Sequence, residues 1–533
     1  MTLGPRIGVL ICTWAGGKEG ALDLAALREH AEKNEAVKFA VLVHRACSPE
    51  GQSEAMALLK GQGVDRFVLA ACSPRTKEPL FRRLASQAGL HPLSFETVNL
   101  REQCAYVHER APANEKARRL LDMALAKMVL WTPPPYEDEQ PIDRRAAVIG
   151  NGLTAGIAAH ELAMHGIEVE IIMGTEGFKW PPEFLFEGRA AQHRAEQTMM
   201  TLAIHPQVTM VQAAQVVGLR GRPGAFEIDV QRDEELRTIE CGAIVLAPPS
   251  EVDFQVLRGG RLHPLRSADI PEGATIAILP AGAGGGLGCN CVSARAIRFA
   301  QTVKERVPSS QVTLMGREIR ALGAIEAIYE QVQRQGVIFT RIETEPSLQG
   351  DGPYIIRAKD ATIGELVMKA DTILVETSDQ PQLPSLARTF GIPMDEKGDF
   401  LTLETRLRGT ETIQKGIFAC RVRLGNMMAE DFMLEAKSAA SMAASLLAEG
   451  TMEVGGEVAE VDQDKCSACL TCVRTCPYGA PVFGEDGKAK ITIERCQGCG
   501  VCASLCPSKA IGMYGSSDAQ LCAQAGVALR GVR

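Results

Sequence analysis

Short apolar runs alternate with amphipathic stretches along the first 130 positions. "RIGVLIC" (6–12), "KFAVLVHRAC" (38–47) and "RFVLAAC" (66–72) are continuous hydrophobic runs, the pattern of strands buried on both faces of a parallel sheet. Between them, "ALDLAALREHAEKN" and "EAMALLKGQG" carry apolar residues at helical spacing, so the segment is expected to form an α/β layer sandwich. "WTPPPYEDEQPID" (131–143) then breaks the pattern with prolines and acids and is expected to be a linker. The α/β alternation resumes in "RAAVIGNGLTAGIAAHELAMHGIEVEIIMG". It continues through strand candidates "ATIAILP", "QVTLMG", "GVIFTRI" and "DTILVE" and helix candidates "SARAIRFAQTVKERV" and "EAIYEQVQRQG". The long amphipathic "AEDFMLEAKSAASMAASLLAEG" (429–450) follows, with its methionines expected in the core. After "TMEVGGEVAEVDQD" the long periodic elements stop. The pattern thus divides the chain into residues 1–130, a linker 131–143, a central domain 144–450 and a small domain 451–533.

Composition narrows the possibilities. A chain of 533 residues exceeds what one core organises, and 46% hydrophobic with 23% charged residues is an ordinary soluble balance. Fifty-seven basic against 65 acidic residues give a net charge of −8 with no long basic run, which argues against nucleic acid as a partner. "MTLGPRIGVLICTW" enters a strand directly, without a basic leader or cleavage site. No run of about 18 apolar residues is present, so no membrane span is expected, and many cysteines without a leader make a cytoplasmic location the expectation. Seventeen cysteines in such a chain point to metal ligation rather than a disulfide framework.

Eight of them follow one rule. Cys466, Cys469, Cys472 and Cys476-Pro477 have the spacing C-x2-C-x2-C-x3-C-P, and Cys496, Cys499, Cys502 and Cys506-Pro507 repeat it. Each short loop wraps three thiolates around an iron–sulfur cube, and the fourth ligand comes from the other repeat. Cys466, Cys469, Cys472 and Cys506 are therefore assigned to one [4Fe–4S] cluster, and Cys496, Cys499, Cys502 and Cys476 to a second. "YGAPVFGEDGKAKITIE" between them predicts a hairpin turning at Glu485-Asp486-Gly487. A structural-zinc reading accounts for neither the shared register nor the two prolines. Cys522 has no partner spacing and is expected to be a stray thiol on a helix.

The three amino-terminal strands each run into a cysteine, namely Cys12, Cys47 and Cys72, and Cys104 follows in "NLREQCAYVHE". Ligands of open parallel sheets bind outside the carboxyl ends of strands, so these thiols are candidates for a third cluster. Taken singly, cysteines more often simply pack, and the residues alone leave both readings open. "AACSPRTKEPLFRRLASQAGLHPLSFETVNLREQC" closely resembles the amino-terminal domain of the heterodisulfide reductase A family and its bacterial relatives. The resemblance runs from Arg6 to about Gly515. It implies an α/β fold in three parts: an amino-terminal cluster-binding domain, a central flavin disulfide reductase-like Rossmann domain, and an α+β ferredoxin domain with two clusters. It also implies Cys12, Cys47, Cys72 and Cys104 as ligands of the third [4Fe–4S] cluster. One departure is the opening: where the family commonly has Cys-x-Cys-Gly, this chain has Cys12-Thr13-Trp14-Ala15-Gly16.

The central domain opens on strand, Gly150-x-Gly152-x-x-Ala155, helix, strand. The first glycine permits a tight turn and the second lets backbone approach a pyrophosphate at the helix N-terminus. Gly150, Gly152, Ala155 and Gly156 are the candidate cofactor contacts. The acid expected about twenty residues on is missing. Met173 and Gly174 end the second strand, Glu176 comes late, and along the resemblance Met173 holds the family's glutamate position, with Lys179-Trp180 replacing a Gly-Gly pair. Ala247-Pro248-Pro249 stands for the usual Ala-Thr-Gly, and Cys420-Arg421 for Gly-Asp. "PAGAGGGLGCNC" (280–291) is expected to be a connection rather than a phosphate cradle. The family's Cys-x3-Cys-Cys group is reduced there to Cys289-Asn290-Cys291, leaving Cys241 and Cys420, distant in sequence, as the remaining thiols. No Cys-x4-Cys pair follows the fingerprint, so thiol–disulfide catalysis is not expected.

The resemblance implies an oxidoreductase component of a multi-subunit heterodisulfide reductase-like complex, relaying electrons between FAD and [4Fe–4S] clusters to partner subunits. Those partners, whether disulfide-reducing, hydrogenase- or formate dehydrogenase-like, or quinone-linked modules, would carry the substrate sites. No catalytic residue is assigned to this chain, and a homodimer within the complex is expected. The alternative is a flavin-free structural and electron conduit binding only iron–sulfur clusters and partners.

Overall fold

A computed structural model of the chain describes residues 4–16, 20–134, 139–181, 186, 189–248, 252–266, 269–280, 291–321, 323–378, 383–396, 398–404, 408–420, 428–453 and 456–530. It divides into two compact units, Met1–Gln140 with Glu453–Arg533, and Pro141–Met452. The two ends of the chain, expected as separate domains, thus share one unit.

In that unit the strands Val37–Val43, Ile7–Cys12, Arg66–Ala71 and Phe95–Asn99 form, in this spatial order, an all-parallel sheet. Ile7–Cys12 is buried along its whole length, as its unbroken apolar run requires. The edge strand Phe95–Asn99 is not foreshadowed by periodicity because its "FETVN" mixes polar and apolar positions; its Phe95 stacks on Phe67 with ring centroids 5.1 Å apart. The second strand stops at Val43, short of Cys47, because the chain turns through a left-handed Arg45 (φ 44°). The expected linker begins as core: Trp131 is buried, its carbonyl accepts a 2.7 Å hydrogen bond from Arg66, and the same guanidinium lies 5.2 Å above its ring. Residues 135–138 of that stretch lie outside the described residues.

The carboxy-terminal segment pairs Ala459–Val461 with Ile511–Met513 and Pro481–Phe483 with Ala489–Ile491, both antiparallel. The second pair turns through left-handed Gly487 (φ 77°), where the hairpin was expected. The last helix, Asp518–Ala528, packs on the amino-terminal helix Arg110–Val129. Buried Gln520 donates from Nε2 to the Lys127 carbonyl at 3.5 Å. This packing is what merges the chain ends.

The second unit holds the same topology twice. Strands Ala146–Ile149, Val169–Ile172, Val208–Val211 and Ala243–Leu246 are parallel, and an antiparallel meander over Gln215–Arg222, Ala225–Arg232 and Glu235–Cys241 precedes the fourth. Thr275–Pro280, Gln311–Gly316, Ile338–Arg341 and Thr372–Ser378 repeat the plan, with a meander over Ser347–Gln349, Tyr354–Asp360 and Gly364–Ala370. The helix Ala429–Glu449 corrects one expectation. Its buried face is alanine (Ala436, Ala439, Ala440, Ala443), lying against Ala155, Ala158 and Ala159 of the helix Leu153–Met164. Met433 is partly buried and packs against this core, whereas Met442 is exposed. Small side chains let the two helices approach closely, which methionines on that face would prevent.

Candidate functional site

Each cysteine repeat presents its first three thiols around a short helix, Thr471–Thr475 in one and Val501–Leu505 in the other. Cys466, Cys469 and Cys472 line one cavity, and the fourth cysteine in its wall is Cys506, from the other repeat. Cys496, Cys476 and Cys499 are neighbours of Cys502, whose thiol is pushed up to about 11, first by burial and then by the repulsion of those three sulfurs. Burial likewise raises Cys472, and Cys469 and Cys466 add to it. Four thiols whose ionisation is mutually unfavourable become thiolates together only around positive charge. Burial would also raise Cys506, but the Ser508 hydroxyl and backbone N–H groups outweigh it and hold this thiol low. Ala510 N–H donates to Cys506 Sγ at 3.3 Å and Ala459 N–H to Cys496 Sγ at 3.4 Å. Among the described residues no three His, Cys, Asp or Glu side chains close on a point as around one metal ion. Four thiols facing one cavity fit a cube, in which each thiolate holds a different iron.

The two loops share a backbone that their sequences conceal. Ala468 and Leu470 (φ 55° and 57°) match Gly498 and Gly500 (φ 64° and 75°), and Gly479 (φ 62°) matches Lys509 (φ 52°). A side chain in this left-handed region costs about 1–2 kcal/mol, so the first repeat holds its cage under strain of the kind concentrated at functional sites. The second repeat separates strain from contact. A Cβ on Gly500 would meet nothing within 4 Å, whereas one on Gly498 would lie 2.2 Å from the Glu457 carbonyl oxygen. Gly500→Ala is expected to lower the unfolding free energy by about 1 kcal/mol with iron retained. Gly498→Ala is expected to displace Glu457 and lose the second-repeat iron; iron assays with thermal melts check both.

At the carboxyl edge of the amino-terminal sheet, Cys12, Cys47 and Cys72 line a common crevice. Cys12 lies at the end of the first strand, Cys72 directly after the third, and the sheet order reverses between these two strands. Burial raises the Cys12 thiol, opposed by the N–H groups of Ala46 and Trp14, with Cys72 and Cys47 adding their repulsion. Cys47 and Cys72 each stand just before a helix, Pro49–Gly61 and Pro74–Gln87, where the helix dipole favours negative charge. The repeated "ACSP" at 46–49 and 71–74 was the unread signal for this: Cys, then Ser at the N-cap, then Pro at the first helical position. Arg101 Nη1 approaches Cys72 Sγ at 3.6 Å. Cys104 is not brought into the crevice wall. It sits fully buried on the π-helical turn Arg101–Ala105, which packs against the turn Thr13–Gly16, and burial raises its thiol. Cys522 is exposed on the last helix.

In the central unit Gly150 (φ 153°) ends the first strand, and a Cβ there would fall 1.8 Å from the Ala247 carbonyl oxygen. Gly152 caps the helix Leu153–Met164 without a side-chain acceptor, which leaves first-turn N–H groups for an anion. Ala155 is fully buried, and a Cβ on Gly156 would strike Met199 of the next helix, so both positions serve close packing. The loop backbone therefore fits a pyrophosphate. The ribose side does not follow. Met173 is buried in the core, Glu176 is exposed, and Lys179 N–H bonds to the Asn151 carbonyl at 2.6 Å, laying the segment after the second strand along the fingerprint loop. Cys241 and Cys420 are buried, with burial pushing Cys241 up to about 12 and Cys420 also upward. Cys291 is half-buried. Pro249, Cys289 with the glycine-rich 281–290, and Arg421 lie outside the described residues.

Residues 465–510 match the family described as a 4Fe-4S dicluster domain. Across 91% of this chain and 92% of its own length, the iron-sulfur A component of the CoB–CoM heterodisulfide reductase of Methanocaldococcus jannaschii is 27% identical. That alignment spans 608 positions, more than this chain possesses, so the relative carries inserted segments. The A component of the H2:CoB-CoM heterodisulfide,ferredoxin reductase of Methanothermobacter thermautotrophicus is 26% identical over 92% of each chain. Among solved structures, a thioredoxin reductase from T. acidophilum covers 57% of this chain and 99% of its own, at 14% identity and a TM-score of 0.39. No helix of the described residues is long and apolar enough to cross a membrane.

Proposed function

Since this chain is a relative of the heterodisulfide reductase A proteins along nine-tenths of its length, we propose that it is the electron-relaying iron–sulfur component of a heterodisulfide reductase-like oxidoreductase complex. The observation that carries the reading is that cysteines of one repeat stand by those of the other, Cys506 in the cavity wall of Cys466, Cys469 and Cys472, and Cys476 next to Cys502. The Cys12, Cys47 and Cys72 crevice, with Cys104 on the adjoining turn, is the site of a third cluster. When bound, the clusters supply one-electron exchange and FAD supplies two-electron exchange. The chain's residues do the rest. Thiolates hold the irons, N–H groups of Ala459 and Ala510 stabilise charge on sulfur, and burial of Cys472, Cys502 and Cys12 keeps water from the cages. Gly150 and Gly152 admit a pyrophosphate to the helix N-terminus. Partner subunits, other redox proteins of the complex, carry the substrate sites, and two copies of this chain pair within it.

The buried Met173 and the Lys179–Asn151 pairing favour a second reading, a conduit that has kept the flavin scaffold without the flavin. Anaerobic isolation from cofactor-replete cells separates the two. The first reading expects about twelve irons, roughly four per cluster, and one releasable FAD per chain. About eight irons would remove the amino-terminal cluster, and absence of flavin would leave the conduit alone.

A further inference from the structure

Behind the crevice of Cys12, Cys47 and Cys72 lies a larger cavity of about 350 Å³, and Pro74, Glu78 and Thr97 line both. Its other walls come from the ferredoxin segment, through Glu457, Tyr514 and Gly515. Inside it, Lys127 Nζ lies 2.9 Å from Glu96 Oε2 and 3.1 Å from Glu457 Oε1, one cation between two carboxylates. The Lys127 side chain is 10% exposed and that of Glu96 27%. Glu457 in turn leans on the second cysteine repeat. Its carbonyl oxygen fills the space beside Gly498, and two residues on, Ala459 N–H donates to Cys496 Sγ. The carboxylates therefore stand between two groups of cysteines, in a polar space large enough to hold water.

We propose that Glu96 is a redox-linked proton site, taking up one proton from solvent when an adjoining cysteine-held centre gains an electron and releasing it on reoxidation. The inference rests on the iron–sulfur reading above. The balance is simple. A one-electron donor reduces the centre and adds one negative charge; one solvent proton converts the Glu96 carboxylate to the neutral acid; both leave when the electron passes on. Every charged or titratable group facing Glu96 shapes this response. Burial raises its carboxyl, Lys127 pulls it down, and Glu457 and Glu78 push it up, for a net rise. Burial would lower Lys127, but the two carboxylates outweigh it and hold it above its usual value. Arg82 is engaged by Glu78 at 2.6 Å, His91 packs against Trp131 in the cavity wall, and Tyr514 donates its hydroxyl to the Thr132 carbonyl. Glu96 is thus a carboxyl already poised toward its neutral form, and added negative charge nearby moves it further that way.

The test is a potentiometric titration of the full chain between pH 5.5 and 9, followed by paramagnetic resonance. A proton bound more tightly in the reduced state makes the midpoint more negative as pH rises between the two Glu96 pKa values, by at most 59 mV per tenfold change in proton activity. That slope is expected in the centre of the Cys12, Cys47 and Cys72 crevice, which shares Pro74, Glu78 and Thr97 with the cavity. The Cys466, Cys469, Cys472, Cys506 site, whose own cavity shares no wall residue with it, is expected to stay flat. Glu96→Gln should abolish the slope with iron content unchanged, whereas Glu457→Gln should keep it. Reduced-minus-oxidised infrared spectra of the wild type should gain a protonated carboxyl band that Glu96→Gln lacks. A flat wild-type midpoint with full iron signals, or an unchanged slope in Glu96→Gln, would overturn the proton site and leave the iron–sulfur reading standing. A protein without any reducible paramagnetic signal would overturn both.

Discussion

Cys506→Ala is expected to strip iron from the first cysteine repeat, thirty-four positions upstream, and to spare the second. The fourth wall of the cavity around Cys466, Cys469 and Cys472 is Cys506, and its Sγ is held there by the Ala510 N–H at 3.3 Å. With alanine at 506, three thiolates remain for a cube that takes four, and total iron should fall by about four per chain. Cys476→Ala should produce the mirror result, because Cys476 faces Cys502 across the other cage. Both cages share one small fold, so secondary loss over time is expected, and freshly prepared protein is the sample to measure. Iron and sulfide assays give the number, and the paramagnetic spectrum of each single variant gives the identity. Cys522→Ala, at an exposed thiol on the last helix, should change neither. If Cys506→Ala kept the first-repeat signal and lost the second, each repeat would be closing its own cage and the exchanged pairing would be wrong.

The eight carboxy-terminal cysteines were legible because their spacing alone fixes which thiols share a loop. The strained backbone beneath them was not. Ala468 and Leu470 occupy left-handed positions that in the second repeat belong to glycine, and nothing in a residue's identity announces a conformation the surrounding cage imposes. The amino-terminal cysteines were half legible. Buried apolar runs located Cys12 and Cys72 at strand ends, but Cys47 reaches the same crevice through a turn, and Cys104 lies in the core rather than in the crevice wall. Individual strands and helices of the central unit followed from periodicity, whereas its duplicated topology depends on strand pairing, which periodicity does not encode. The union of the chain's two ends was hidden for the same reason. It rests on the last helix packing against Arg110–Val129, and the clearest sign of it is Lys127, in the last turn of that helix, whose partner Glu457 lies 330 residues away. A charged residue in a helical pattern normally means a solvated face, and only the tertiary fold shows it to be enclosed.

Gly150→Ala is expected to have the largest effect in the central unit, and it separates that unit from the cysteine-bearing one. Gly150 N–H bonds to Ile172 O at 3.0 Å, and Ala247 N–H to Ile149 O at 2.8 Å, so the residue is clasped between two neighbouring strands of the parallel sheet. A methyl group there would lie 1.8 Å from Ala247 O and 2.7 Å from its carbonyl carbon, backbone atoms that move only if the strands part. Overpacking of a core costs about 1–3 kcal/mol when side chains can yield; here the obstacle is backbone, so a loss of at least about 3 kcal/mol is expected. A pyrophosphate would also lose its approach to the loop, because the turn that admits it would be displaced. Calorimetry should show the transition of Pro141–Met452 falling, with any bound flavin released. Since the cysteines of all three proposed centres lie in the other unit, iron content should remain at the wild-type value. Iron lost in step with the flavin would mean that the two units fold as one, and that outcome would be as informative as the loss itself.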